Sequence, residues 1–420
     1  MKSNCKNIWI FNHYAITPDL PGGTRHFDFA EELVNSGYNV TIFASSFIHG
    51  IFEEKKTSAN KKWCVEDYKG VKFVWIKTFP YRKNDWRRVI NMLTYTIRSY
   101  WLGRKITKLN ECIPNPDIII GSSWHLFAAF SAYMLSRKYR APFIMEVRDL
   151  WPQTPIDMGM SKWHPFIIVL SILEKFLYNR SDKIITLLPK ANEYIEGLGV
   201  PKNKIVWMPN GVNINRFTKF ANSSANKTGA EFLVVYTGSV GKANAVSVII
   251  KAAEILKKHL YNKIKFLIIG DGAEKENLMK IVERKQLDNV EFKHSVEKEK
   301  IPIILINSAV LIFILGRSNV YKYGISSNKL FDYMASGRPI IFSVGSSNNP
   351  VKEANAGITV PPEDPKALAE AIIRMYNMPE EERKKMGQNG LEYVIKYHSI
   401  PVLVDKLEGV INEVCTKSNF

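Results

Sequence analysis

Residues Asn7 to Ser45 read NIWIFNHYAITPDLPGGTRHFDFAEELVNSGYNVTIFAS. A short apolar run, NIWIF, is followed by a helix pattern from Arg25 to Ser36 and by a second apolar run, NVTIFAS. That order predicts one βαβ unit of a parallel sheet. The rhythm continues through VKFVWI, PDIIIGSS, PFIMEVRD, DKIITLLP and KIVWMPN, with helix-length segments between most of them. At Pro209 it gives way to the polar stretch NGVNINRFTKFANSSANKTGAE. It resumes with FLVVYTG, a helix from about Ala245 to His259, IKFLIIGDG, a helix from about Glu274 to Lys285, VEFKH, VLIFIL, a helix around Leu330 to Ala335, and PIIFSV. The expected fold class is α/β, with two doubly wound Rossmann-like domains, 1–208 and 209–396, and a closing segment 397–420.

Composition bounds the partners. With 420 residues, 46% hydrophobic and 23% charged, the chain is too long for one ordinary core and has the make-up of a globular protein. Its 58 Lys and Arg against 40 Asp and Glu leave a net charge of +18, which favours phosphorylated small molecules, acidic membrane or nucleic acid. No recognition motif accompanies the charge, so no nucleic acid partner is expected. Cys5, Cys64, Cys112 and Cys415 are scattered, which supports neither a disulfide framework nor a structural zinc and suits a reducing cytoplasm. The start, MKSNCKNIWIFNHYAITP, lacks a signal-peptide core and reads as a first strand. No stretch reaches the roughly 20 apolar residues that span a bilayer. The nearest, FIIVLSIL (Phe166 to Leu173) and IPIILINSAVLIFILG (Ile301 to Gly316), are expected in the core.

Ligands of doubly wound sheets sit beyond the carboxyl ends of strands, so the loops there carry the candidates. Gly22 and Gly23 permit close backbone approach ahead of a helix N-terminus. Arg25 and His26 in that helix's first turn oppose its dipole and call for a negative partner. TGSVGK brings Gly238 and Lys242, and the strand ending IIGDG brings Gly270; either is equally an ordinary turn. In YGISSNKLFDYMASGRPIIFSV, Ser327 and Asn328 suit a helix start, Lys329 adds a cation to it, and Asp332 follows one turn later. An anion there would meet N–H groups and an ammonium together, as a diphosphate requires. EVRDLWP clusters Glu146, Arg148 and Asp149 at a strand end, and SSWH places His125 likewise. Between Tyr81 and Lys108 eight Lys and Arg, including Arg87, Arg88, Arg98 and Arg104, interleave with Trp86, Leu93, Ile97 and Trp101. Such a helix suits an anionic membrane, or a solvated face with its apolar side in the core.

Taken in order, GGTRH, EVRDLWP, MPNGV, YTGSVG, IIGDG and SNKLFDYMASGRPI resemble family 4 of the retaining glycosyltransferases, of GT-B architecture, in which two Rossmann-like domains face a central cleft. The subgroup resembled builds O-antigen, capsule or colanic-acid-type polysaccharides, often from UDP-linked N-acetylated amino sugars. The resemblance implies that Gly22 and Gly23 lie against donor phosphates. It assigns Ser327, Asn328 and Lys329 to the diphosphate, Asp332 to the ribose, Ser295 and Val296 to the base, and His125 to the donor sugar. It further implies no metal or cofactor, no dedicated protein base, a lipid-linked saccharide acceptor contacted by Arg25, His26, Arg148 and Asp149, and catalytic roles for His125, Lys329 and Glu146. The final helix, about Pro401 to Glu413, would cross back to the first domain. The expected location is cytoplasmic, peripheral on the inner membrane face through helix 82–108. Two departures stand out: Gly324 and Asp332 occupy the positions of a common glutamate pair, and after TGSVG only Lys242 remains of a common Arg and Lys, with Lys329 and Arg317 as substitutes. An inactive membrane-associated subunit and a nucleotide-sugar epimerase are the alternatives.

Overall fold

The computed structural model describes residues 6–49, 51–58, 60–82, 85–157, 159–221 and 231–417. Cys5, Lys83 and the heart of the polar stretch, 222–230, lie outside them. The chain divides into two compact units, one of 1–18, 22–209 and 400–420 and one of 19–21 and 210–399.

The first unit carries β1 (Asn7–Phe11), β2 (Asn39–Ser45), a small antiparallel pair β3 (Phe47–Ile48) and β4 (Glu53–Glu54), then β5 (Trp63–Tyr68), β6 (Val71–Ile76), β7 (Ile118–Ser123), β8 (Phe143–Val147), β9 (Lys183–Thr186) and β10 (Ile205–Trp207). Eight of these form one sheet in the order β10-β9-β8-β7-β1-β2-β6-β5. Seven run parallel, and apart from the edge strand β10 their apolar runs are largely buried because helices cover both faces. The exception is the edge strand β5, antiparallel to β6. Sequence periodicity had not singled it out; Lys69 and Gly70, both at positive φ (54° and 82°), make the two-residue turn that folds it back. The Arg25–Asn35 helix packs with the Ile400–Lys417 helix, while Trp86–Gly103, Leu126–Tyr139 and Pro165–Arg180 lie side by side. Ile400, Leu403, Val404, Leu407 and Ile411 of the closing helix enter the core of this unit beside Phe29 and Leu33.

The second unit holds β11 (Phe232–Thr237), β12 (Ile264–Ile269), β13 (Val290–Lys293), β14 (Val310–Ile314), β15 (Ile340–Ser343) and β16 (Gly357–Thr359), all parallel in the order β13-β12-β11-β14-β15-β16. Both units are thus doubly wound Rossmann-like domains, as the sequence rhythm predicted. Each has one point where the strand order reverses, between β1 and β7 and between β11 and β14.

Two sequence expectations are corrected. FIIVLSIL is not simply core: on the Pro165–Arg180 helix Ile167 and Leu170 are buried, but Ile168, Val169 and Ile172 are 43%, 52% and 66% exposed. A run that is apolar all round gives no sign of which face packs. Cys64 and Cys112 are free, whereas Cys415 is disulfide-bonded. Among the described residues no helix is long and apolar enough to cross a membrane.

In the second unit the TGSVGK and GDG loops lie backbone on backbone. A Cβ on Gly270, at φ 153°, would stand 1.8 Å from Gly238 O, and one on Gly272 2.4 Å from Val240 O. Gly270→Ala must push the two loops apart. It is expected to cost about 3 kcal/mol or more of unfolding free energy, read by urea denaturation, whereas Gly241→Ala, where only the Ser239 hydroxyl is near, should be close to neutral.

Candidate active site

Reversal of strand order opens a crevice where neighbouring loops part, and in the first unit the loops after β1 and β7 border it. His13 follows β1 and His125 follows β7; their rings meet with His13 Nδ1 2.7 Å from His125 Nε2. His125 caps the Leu126–Tyr139 helix, its Nδ1 accepting from the Ala128 N–H at 3.3 Å. Nδ1 therefore has no proton, and Nε2–H donates to His13. The proton of His13 must then sit on its own Nε2, which is buried and has no partner among the described residues. Tyr14 and Tyr95 stack on the two faces of the His13 ring at 4.3 and 4.4 Å. Burial lowers both imidazoles, that of His125 to about 3, so both are neutral near pH 7. The direct sugar contact expected of His125 does not suit a ring with both nitrogens engaged; the spare donor is His13 Nε2–H. The sequence did offer a clue, since NHY directly follows a strand.

Arg25 and His26 find their negative partner inside the fold. Glu146, at the end of β8, accepts from Arg25 Nε at 2.9 Å, His26 Nε2 at 2.6 Å and Ser122 Oγ at 2.6 Å. Arg25 also donates to the carbonyls of Met208 and Pro209 and lies over the Phe29 ring. Asn12 Nδ2 and Arg148 Nη1 point at His26 Nδ1 from 2.7 and 3.3 Å. The Asn12 amide is oriented by Tyr14 N–H, which donates to its Oδ1. Two donors at Nδ1 fix a neutral His26 that gives its Nε2 proton to Glu146, in keeping with the lowering of its pKa by burial. Burial would raise Glu146, but its basic neighbours hold it well below the usual carboxylate range. Arg25 and the neutral His26 are thus spent on Glu146, and all three side chains are buried rather than turned to a ligand. Arg148 lies over Trp124 at 5.1 Å, and burial raises the neighbouring Asp149. Gly22 and Gly23 are exposed, with Gly22 at φ 140°.

The second unit brings Lys329 to its own reversal point. The ammonium lies over Tyr236 of β11 at 4.7 Å and Phe313 of β14 at 5.1 Å. It donates to Asn244 Oδ1 at 3.0 Å and Tyr236 OH at 3.3 Å. No carboxylate pairs with it among the described residues, and burial brings it down to about 7. The Asn328–Ala335 helix behind it is preset: Asn210 grips Ser326 through its N–H and its amide, and Asn348 brackets Ile325 on both backbone sides. Ser327 is the N-cap residue and uses no side-chain bond for it, so the first N–H groups lack that internal cap.

Other residues singled out from the sequence have internal partners. Asp332 is buried in an ion pair with Lys298, which weakens its assignment to ribose. Asp271 takes Ser295 through N–H (2.8 Å) and Oγ (2.6 Å) as well as Lys275 (2.8 Å), so the Ser295 amide is not offered to a base; Val296 follows in the same loop. Burial opposes charge on Asp271, yet the Lys275 and Ser295 bonds hold it well below its ordinary value. Gly270 is needed for loop packing, whereas a Cβ on Gly238, at φ 143°, would meet the Tyr236 hydroxyl at 3.2 Å and the Lys329 side chain at 3.4 Å. Lys242 is exposed, and Arg317 lies 3.7 Å from Glu363. Gly324 has φ 96°, a conformation that favours glycine over the glutamate common there. Asn244, Tyr236 and Lys298 were not found from sequence, because their roles come from distant segments meeting.

Residues 22–211 match the family model "Glycosyl transferase 4-like domain" and residues 218–393 match "Glycosyl transferases group 1". Among curated proteins, the putative colanic acid biosynthesis glycosyl transferase WcaI of Escherichia coli is 20% identical over 305 residues, 69% of this chain and 72% of that protein. Among solved structures, sucrose-phosphate synthase from Thermosynechococcus elongatus superposes with a TM-score of 0.75 at 17% identity, over 98% of this chain and 100% of that one. Anabaena HepE in complex with UDP and glucose gives 0.67 at 13%, over 97% and 99%. At such identities the structures share the fold.

Glu146→Gln leaves Arg25 buried without its counter-charge and should cost about 3–5 kcal/mol of stability, measured by urea unfolding at neutral pH. The folded pKa of Glu146 is depressed, so its contribution is full above the unfolded carboxylate value and is lost as pH falls toward the folded one. The Glu146→Gln deficit should therefore shrink on acidification; a deficit unchanged with pH would contradict the pairing.

Proposed function

Because the two matched domains make the chain a group 1 glycosyltransferase of GT-B fold, we propose that it is a metal-independent retaining transferase. It moves a sugar, an N-acetylated amino sugar by the resemblance, from a UDP-sugar to a polyprenyl-diphosphate-linked saccharide of a bacterial surface polysaccharide. One observation carries the donor reading. Lys329 is a buried cation at a helix start with neutral partners and no counter-charge among the described residues, unlike Arg25, which has Glu146. A diphosphate supplies the missing charge and accepts from the first N–H groups of the helix. The UDP and glucose bound by HepE are consistent with such a donor, and the name of WcaI with a polysaccharide product.

In the reaction, the bond from the sugar's anomeric carbon to the β-phosphate oxygen breaks and the acceptor hydroxyl oxygen bonds to the same face of that carbon. Negative charge grows on the departing diphosphate, where the Lys329 ammonium and the helix N–H groups stabilise it. The acceptor's proton passes to the departing phosphate oxygen. His13 and His125, neutral near pH 7, do not carry this proton; His13 Nε2–H orients a saccharide hydroxyl bound to the first unit. Arg148 and Asp149 serve the acceptor, the guanidinium meeting its phosphate and the carboxyl its hydroxyls.

The Trp86–Gly103 helix supports a membrane-bound acceptor. Its buried face is Asn91, Met92, Tyr95, Ser99 and Gly103, whereas Trp86 (63%), Leu93, Ile97 (58%) and Trp101 (52%) form an outward stripe one or two turns apart. Arg104 lies over Trp101, and Arg87 over Trp86. Apolar residues outward with cations beside them suit the interface of an anionic bilayer at the inner leaflet.

The pH dependence of UDP binding tests the donor site. Lys329 is protonated below about 7, and an anion binds the protonated form. UDP affinity in calorimetry should therefore fall about tenfold between roughly pH 6.5 and 8.5, while Lys329→Met binds weakly with no such step. Wild-type binding that is flat across that window, or Lys329→Met binding as tightly as wild type, would remove the basis of the proposal. Transfer from a UDP-sugar panel should survive a chelator.

A further inference from the structure

At the edge of the first sheet, away from the β1/β7 reversal point, residues before β5 and after β6 meet the Trp86–Gly103 helix around a cavity of about 410 Å³. Its walls carry Lys61, Lys62, Lys77 and Arg98, together with Thr78 and Thr94, and no acidic residue lines it among those described. The floor is held in place. Arg98 donates to the Lys77 carbonyl; Asn91 donates to Phe79 O at 2.7 Å and to Thr78 Oγ1 at 2.8 Å; Lys77 N–H extends the β5/β6 ladder to Lys62 O at 3.0 Å. Four cations around a cavity of that size suit a phosphorylated group larger than an inorganic ion.

The neighbours of the cavity indicate which one. Thr94 and Arg98 in its wall each follow, by one residue, a member of the outward stripe, Leu93 and Ile97. At 100° per residue they form the flank of that stripe. An ester whose phosphate lies among Lys61, Lys62, Lys77 and Arg98 can therefore rest its hydrocarbon on Ile97 and Trp101. We propose that this cavity is a headgroup site for an anionic lipid phosphate, separate from the Lys329 site. The membrane-facing reading of the Trp86–Gly103 helix underlies it, and the shared ligand chemistry, a phosphate ester, could also come from a soluble molecule.

The test uses the full chain with three probes: phosphatidylcholine vesicles with and without phosphatidylglycerol, monomeric dihexanoyl phosphatidic acid, and glycerol phosphate. Lys61→Glu/Lys62→Glu alters two exposed side chains, and an unchanged thermal shift with UDP reports that the fold is intact. The expected result is an affinity for phosphatidylglycerol vesicles lowered about tenfold or more, with the short-chain lipid bound by wild type, weakly by the variant, and far better than glycerol phosphate. If the variant binds vesicles like wild type while Ile97→Ser/Trp101→Ser does not, the headgroup site is wrong and the membrane-facing helix stands. If wild type ignores both vesicles and short-chain lipid, both fall. If glycerol phosphate binds as well as the short-chain lipid and only the Lys pair governs it, the ligand is a soluble phosphate ester and the lipid assignment is overturned.

Discussion

The carboxylate of Glu146 ties together segments from distant parts of the chain: the end of β8, the start of the Arg25–Asn35 helix 121 residues earlier, Ser122 at the end of β7 and, through Arg25, the carbonyls at Met208 and Pro209. A buried carboxylate is tolerable only when its charge and lone pairs are met. Here Arg25 meets the charge and two further donors fill the remaining capacity. This arrangement fixes His26 in one tautomer and, with Asn12 and Arg148 gathered on its other nitrogen, the geometry of the loops around the first reversal point.

Lys329 follows the opposite rule. It occupies an equivalent place at a helix start and a strand-order reversal, but the surrounding chain supplies rings, a hydroxyl and an amide in place of an anion. The cost of holding that ammonium out of water appears as a lowered pKa. Among the described residues the fold thus gives Arg25 a full counter-charge and gives Lys329 none. The neighbouring Asp332, which could have served Lys329, is instead committed to Lys298.

Much of the fold was legible. Apolar runs of strand length alternating with helix patterns produced both sheets, because a parallel strand covered on two faces has to be apolar throughout. The edge strand β5 escaped, since WCVEDY is half exposed and mixed in character. The outward faces of Trp86–Gly103 and Pro165–Arg180 escaped in part for a related reason. Periodicity reports that a helix has an apolar side, and only the neighbouring helices decide whether that side is covered.

The sequence by itself determined where chemistry could occur, because loops after strands, glycines at positive φ and charges at helix starts are local facts of residue type and order. It singled out Arg25, His26, Glu146 and Lys329 on those grounds. Tertiary structure alone decided which of them were paired. Coulomb and hydrogen-bond partners act over a few ångströms of space, and Glu146 stands 121 residues from Arg25 while Tyr236 stands 93 from Lys329. No local pattern records such distances, so the difference between a satisfied cation and a waiting one appeared only when the strands were set side by side.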